Sequence, residues 1–205
     1  MRRLGLLSLC AMLFACPSES KPEAPTPAAS AETTSGDVKI KFEDGKEQRA
    51  FSLKMKPDGA KLVDAGETEI ARLKDKGDKT LVRTPDDTVV AIVKGSGDKV
   101  KVQSPEGEER FALKRYDDGD YKLKTAGGET LFVLKVKDYG FKIRDGAGKD
   151  VAKVKKSSDK VKLKNAAGET LYETKADLPA VAVACLAFEG MALPTRVALM
   201  HRLAK

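Results

Sequence analysis

Gly128-Glu129-Thr130-Leu131, Gly148-Lys149-Asp150-Val151 and Gly168-Glu169-Thr170-Leu171 stand 20 residues apart, and their reading decides the fold. The same step carries Tyr121 to Phe141 and Val161, Leu123 to Ile143 and Leu163, and Lys135 to Lys155 and Lys175. A unit this short, with apolar–Lys–apolar alternation and a Gly turn, has room for one β-hairpin.

Outward from these units, short apolar stretches alternate with turn chemistry from Val38 to about Lys175. Strands are predicted over 39–42, 51–55, 62–64, 69–74, 80–83, 89–94 and 100–103. The series continues over 110–115, 121–124, 130–136, 141–144, 151–155, 161–164 and 170–174. The separators, among them Asp44-Gly45, Asp58-Gly59, Ala65-Gly66 and Asp117-Asp118-Gly119, supply positive φ and local hydrogen bonds. Val161 and Leu163 face one way while Lys160, Lys162 and Lys164 face the other. Period-two patterning with Lys outward means an antiparallel sheet with one wet face. An outer-membrane barrel needs apolar residues outward and aromatic girdles, so that class is excluded.

The C-terminal segment explains what the apolar face covers. Asp177-Leu178-Pro179 reads as a helix start, and Ala180 to Ala192 is apolar almost all round. Gly190 and Pro194 suggest a kink or break before Val197 to Leu203. A helix apolar on every side must be surrounded, and a closed sheet is a natural container. The expected fold is mainly β: antiparallel hairpin repeats closed into a barrel of about 12–14 strands around a hydrophobic C-terminal helix over about 178–203. Two rival readings stand beside it. The segment is a membrane anchor, against which Glu189, Pro194 and Arg196 weigh, or it caps an open β-solenoid or a flat sheet.

This layout resembles the tubby C-terminal-like architecture, whose members include tubby-like, LURP-one-related and scramblase-like domains. The resemblance covers about residues 38 to 203. It is carried by units such as Lys122-Leu123-Lys124, Gly128-Glu129-Thr130-Leu131 and Leu134-Lys135, and by the Val181 to Ala192 helix. It implies strands wrapped around the C-terminal helix. Phosphoinositide recognition in tubby-like members depends on particular basic residues that are not mapped onto this chain, so that function is not carried over.

The N-terminus reads as a targeting segment. Arg2 and Arg3 precede the apolar run Leu4 to Phe14, too short for a membrane-spanning helix. The run closes with Leu13-Phe14-Ala15-Cys16, which resembles a bacterial lipoprotein lipobox with Cys16 as the acylated residue. The alternative is an ordinary secretory signal cut near Ala15. Residues 17–36 carry four prolines and no aromatic or branched aliphatic residue, so they cannot offset their ordering entropy and read as a tether. The expected organisation is a signal peptide over 1–15, lipidated Cys16 with its tether over 16–36, and the β-domain over 37–205. No Asp follows Cys16, which favours the outer membrane within the cell envelope.

Composition narrows the chemistry. Without Arg2 and Arg3 the basic count is 36 against 31 acidic, a net +5. His201 is the single histidine, so His-dependent triads and multi-His metal sites fail at the first count. It reads as a polar helix-end residue. Of three cysteines, Cys10 leaves with the signal, and Cys185 reads as a small buried hydrophobe. The Gly turns precede no helix, so they resemble neither a phosphate loop nor a dinucleotide fingerprint. No catalytic residue, metal or cofactor is expected. The candidate functional feature is a basic patch of Lys153, Lys155, Lys156, Lys160, Lys162 and Lys164, which is otherwise a solvated, solubilising face. Its expected partners are anionic lipid or an envelope glycan or protein, beside the membrane reached through the lipid. Nucleic acid is not expected, because no aromatics interleave with the lysines. The expected role is a non-enzymatic binding or structural module. The alternatives are a lipid-handling protein using the barrel or its basic face, and, last, a hydrolase with carboxylate chemistry.

Overall fold

The computed structural model describes residues 38–205. Cys16, the 1–15 segment and the tether lie outside the described residues. Fourteen antiparallel strands close into one barrel in strict chain order. They are β1 (Lys39–Glu43), β2 (Arg49–Lys56), β3 (Gly59–Asp64), β4 (Glu69–Lys76), β5 (Lys79–Arg83), β6 (Val89–Ser96) and β7 (Lys99–Gln103). β8 (Glu109–Arg115), β9 (Tyr121–Thr125), β10 (Thr130–Lys137), β11 (Gly140–Asp145), β12 (Asp150–Lys156), β13 (Val161–Asn165) and β14 (Thr170–Thr174) follow. The ring closes where β14 meets β1, with Glu43 opposite Glu173. Each predicted strand is present, extended by at most a few residues at its ends.

The two ends of the barrel differ in turn chemistry. At one end the turn closing each hairpin starts with Asp44, Asp64, Thr84, Ser104, Thr125, Asp145 or Asn165. In six of the seven the side-chain oxygen accepts a backbone N–H within the turn, and Ser104 is the exception. The residue two positions before the returning strand takes positive φ: Glu47, Glu67, Asp87, Gly107, Gly128, Gly148 and Gly168. Each of these seven hairpins carries a register shift next to the turn. The connections at the opposite end carry none. A bulge bends and twists a strand, so seven bulges on one rim curve that end alike. The 20-residue repeat therefore spans all fourteen strands. It is faint in the first half because Glu47, Glu67 and Asp87 stand where Gly marks the later turns.

The apolar tail fills the lumen, but as two helices. The segment expected as helix over about 178–203, with a kink or break at Gly190 and Pro194, is α1 (Ala180–Ala184), a 3-10 turn (Cys185–Ala187), a turn through 188–192 and α2 (Leu193–Leu203). Pro194 sits in the first turn of α2, and the reversal falls at Gly190, with φ +96°. The reason is length. A 26-residue helix at about 1.5 Å per residue runs about 39 Å, whereas strands of 5–8 residues at about 3.3 Å per residue give a wall of about 17–26 Å. Folding back keeps both halves inside. α1 packs against β11, β12 and β13, and α2 against β4, β5, β6 and β7. The wall facing α2 is lined by small residues (Ala71, Thr80, Val82, Ala91, Val93), all buried. Aromatics fill the flanks: Phe42 stacks on Phe51 at 4.6 Å and Phe132 on Phe188 at 5.2 Å. Cys185 is buried, and its burial pushes the thiol pKa up, as befits an unreactive core residue.

Candidate functional site

The outer wall is a field of lysines set directly opposite one another. Lys54 pairs in register with Lys39 and Lys61, and Lys94 with Lys101. Lys135, Lys142, Lys153 and Lys164 form one cross-strand row over β10 to β13. Like charges directly opposite are destabilising unless they are neutralised. Carboxylates next to the bulged turns do this over part of the wall, while the row Lys99, Lys114 and Lys122 over β7 to β9 has no carboxylate partner among the described residues. Glu69 holds Lys61 and Arg72, Glu109 holds Lys101, and Asp150 holds Lys142 and Arg144 at 2.7 and 2.9 Å. Each of these acids occupies the same register position, the first residue after the turn. The other four bulged hairpins have Arg49, Val89, Thr130 and Thr170 there, and Thr170 stands opposite Lys164.

The six lysines singled out from sequence separate into two groups. Lys153 faces Lys164 and Lys155 faces Lys162, so these four share the outer face of β12 and β13. Lys162 and Lys160 both approach Glu173, at 2.6 and 3.4 Å. Burial would raise the Glu173 pKa, yet hydrogen bonds from Lys162 and Lys160 outweigh it and hold it below the usual carboxylate range. Lys156 lies at the rim, where it pairs with Asp177 at 2.7 Å and donates to the carbonyl of Leu178. Lys153, Lys155 and Lys164 have no carboxylate partner among the described residues. Lys155 sits over the Tyr139 ring, 5.7 Å from its centroid.

The second polar assembly sits at the tight-turn end, where sequence reading placed only a helix-end histidine. His201 is buried and its Nε2 lies 2.9 Å from Asp75 Oδ2. The carboxylate only accepts, so this contact requires the tautomer with hydrogen on Nε2. Thr80 Oγ1 donates to Asp75 Oδ1 at 2.6 Å and Lys205 Nζ to Oδ2 at 2.6 Å. Burial works to raise the Asp75 pKa, yet the bonds from Lys205, Thr80 and His201 hold it at about 2. Burial lowers that of His201 against the opposing pull of Asp75, so the imidazole is neutral at neutral pH. Next to it Arg202 donates to the carbonyls of Gly95 and Asp78 at 2.8–3.0 Å. No sequence pattern marks this cluster, because Asp75 and His201 are 126 positions apart. It holds α2 and Lys205 to β4–β6.

The third feature is a cleft of about 480 Å³ at the bulged end, between β10–β14 and the 3-10 turn and α2 of the helical pair. Phe132, Val151, Leu171, Tyr172 and Leu186 give it an apolar floor, and Arg196 projects into it. Arg196 Nη1 donates to the carbonyl of Leu186 at 2.6 Å. Its Nε is a buried donor with no acceptor. Among the described residues no three His, Cys, Asp or Glu side chains converge as metal ligands, and no helix is long and apolar enough to cross a membrane.

No protein-family model matches this chain, and no curated protein matches it. Among solved structures it is similar to one described as the X-ray structure of protein from Arabidopsis thaliana AT5G01750. The identity is 12% over 74% of this chain and 88% of that one, with a TM-score of 0.41. The barrel assignment rests on this chain's own strand pairing.

Proposed function

We propose that this protein is a non-enzymatic, lipid-anchored module of the cell envelope that rests its β12–β13 wall against an anionic membrane surface. The observation that carries this reading is the trio Lys153, Lys155 and Lys164, set opposite other lysines and without a carboxylate partner among the described residues. The row Lys99, Lys114 and Lys122 over β7 to β9 shares that state, but its Lys114 and Lys122 gather around the Tyr116 ring. An anionic surface supplies the counter-charge that Thr170 does not. The apolar tail packs the centre of the lumen, and this supports reading the outer face as the membrane-facing surface.

Flotation of the mature domain with vesicles tests the surface. Vesicles rich in anionic lipid are expected to carry the protein, neutral ones are not, and binding is expected to fall steeply as salt rises past about 0.15 M. Lys153→Gln with Lys164→Gln is expected to abolish most of it. Retained flotation of that variant, or binding to an acidic glycan with none to vesicles, overturns the membrane assignment. The anchor is tested separately: a Cys16→Ser protein that still fractionates with membranes sinks the lipoprotein reading.

A further inference from the structure

We propose that the bulged-end cleft is a binding site for a single-chain amphiphile with an anionic head, such as a fatty-acid carboxylate, and that Arg196 receives the head. The site is distinct from the lysine wall and does not depend on it. Its volume, about 480 Å³, falls in the range of small-ligand pockets, which run about 300–1,000 Å³. Its floor is apolar, and Leu171 on its rim is 36% exposed, a large aliphatic side chain left half in water beside a concave surface.

Arg196 supplies the second half of the recognition. It forms no ion pair with any described carboxylate, although most arginines of this barrel do. One of its amino groups anchors to Leu186, which orients the guanidinium against the cleft. Its Nε is buried and unpartnered, a state that costs free energy, and its Nη2 makes no hydrogen bond to a described residue. The Nε–Nη2 edge is the edge that binds a carboxylate with two parallel bonds. A small turn of the side chain about its Leu186 anchor presents this edge to a head group while the chain lies over Leu171, Val151 and Phe132. Of the other polar groups of the lining, Asp145 and Asn165 accept N–H groups of their own turns through their Oδ1 atoms, and the Tyr172 hydroxyl has no partner among the described residues, which leaves it free to donate to a head group. The Asp145 and Glu189 carboxylates oppose an anion by like charge, and Glu189 is exposed.

Calorimetric titration with dodecanoate, kept below its micelle concentration and with no vesicles present, tests the site. One saturable site is expected, with dodecan-1-ol binding at least tenfold more weakly. Arg196→Gln is expected to weaken dodecanoate by about tenfold to a hundredfold, Leu171→Glu to abolish binding, and Glu189→Gln to tighten it. If Arg196→Gln does not fold, Arg196→Lys, which keeps the charge but not the two-bond edge, takes its place with a smaller loss expected. The double variant Lys153→Gln and Lys164→Gln is expected to bind dodecanoate as the natural protein does, so the outcome is independent of vesicle flotation. No saturable binding, equal affinity for the alcohol, or indifference to both Leu171→Glu and the Arg196 variant overturns the proposal.

Discussion

At the tight-turn end, α2 is fastened by polar groups: Arg202 caps carbonyls of β6 and the β4–β5 turn, and His201 donates to Asp75. At the bulged end the helical pair is held by grease, with Phe188 and Met191 buried and Phe188 stacked on Phe132. The polar clamp is directional and fixes the depth and rotation of α2, since Nε and Nη2 of Arg202 converge on the Gly95 carbonyl while Nη2 also reaches that of Asp78. The apolar plug supplies burial without direction, and the bulges beside it leave room between wall and helix. That is why the cleft lies there and not at the clamped end. One end specifies the arrangement, and the other has surface left to bind with.

The largest effect expected from breaking this contrast is at the plug. Phe188→Asp places an unpaired charge where the side chain is fully buried, a cost of several kcal/mol that a marginally stable domain does not survive. Circular dichroism is expected to show no cooperative melt, and a folded, soluble variant refutes the filled lumen. At the clamp, Arg202→Ala removes the guanidinium donors from the Gly95 and Asp78 carbonyls, of which Asp78 keeps the Gly95 N–H, and removes a side chain that is 6% exposed. A loss of about 2–4 kcal/mol in denaturant unfolding is expected; a loss below about 0.5 kcal/mol shows that the clamp is dispensable.

Glycine replacements sharpen the comparison of the turns. At Gly59, with φ +146°, an added Cβ stands 1.8 Å from the carbonyl oxygen of Leu73, so Gly59→Ala forces backbone apart and is expected to cost about 2–3 kcal/mol. At Gly168, with φ +89°, the added Cβ meets nothing within 4 Å, and only the left-handed conformation costs, about 1 kcal/mol. Equal destabilisation of the two, read from thermal midpoints, contradicts the tolerance of position 168, which the bulged rim does not share at Gly146, where an added Cβ stands 2.2 Å from the carbonyl oxygen of Thr130.

Acid probes the clamp selectively. His201 has a folded pKa below its ordinary 6.5, so the unfolded chain binds that proton more readily and stability falls as pH drops below 6.5. Asp75, at about 2 when folded against 3.8, contributes stability that is complete above 3.8 and fades as pH falls toward 2. Both slopes have the same sign. Denaturant midpoints are expected to fall from pH 8 to pH 5 in the natural protein and to fall less in His201→Gln. The smallest effect belongs to the wall: Lys153→Gln is expected to change stability by no more than about 0.5 kcal/mol, with a gain as plausible in sign as a loss because it removes a like-charge pair.

Much of the fold was legible because its signals are local. Val161 and Leu163 against Lys160, Lys162 and Lys164 give a strand and its inner face within five residues. The repeat was readable where Gly128, Gly148 and Gly168 mark the left-handed turn position, and it faded where Glu67 and Asp87 adopt that conformation without the marker. The lysine cluster was half legible. Spacing put Lys153 and Lys155 on one face, but cross-strand register brought Lys164 beside them and removed Lys156 to the rim. Neither Arg196 nor the clamp carried any sequence signal, since their partners stand too far away in the chain for any periodicity to register.

By itself the sequence determined fourteen strands, which side of each is greasy, where each turns, and that one apolar tail had to be covered. These follow from chemistry between residues a few positions apart. The tertiary structure alone decided that β14 meets β1, that the tail doubles back at Gly190 to fit the height of its container, and that Thr170 leaves Lys164 without a counter-charge. Those outcomes depend on distances between residues that only closure of the ring makes neighbours.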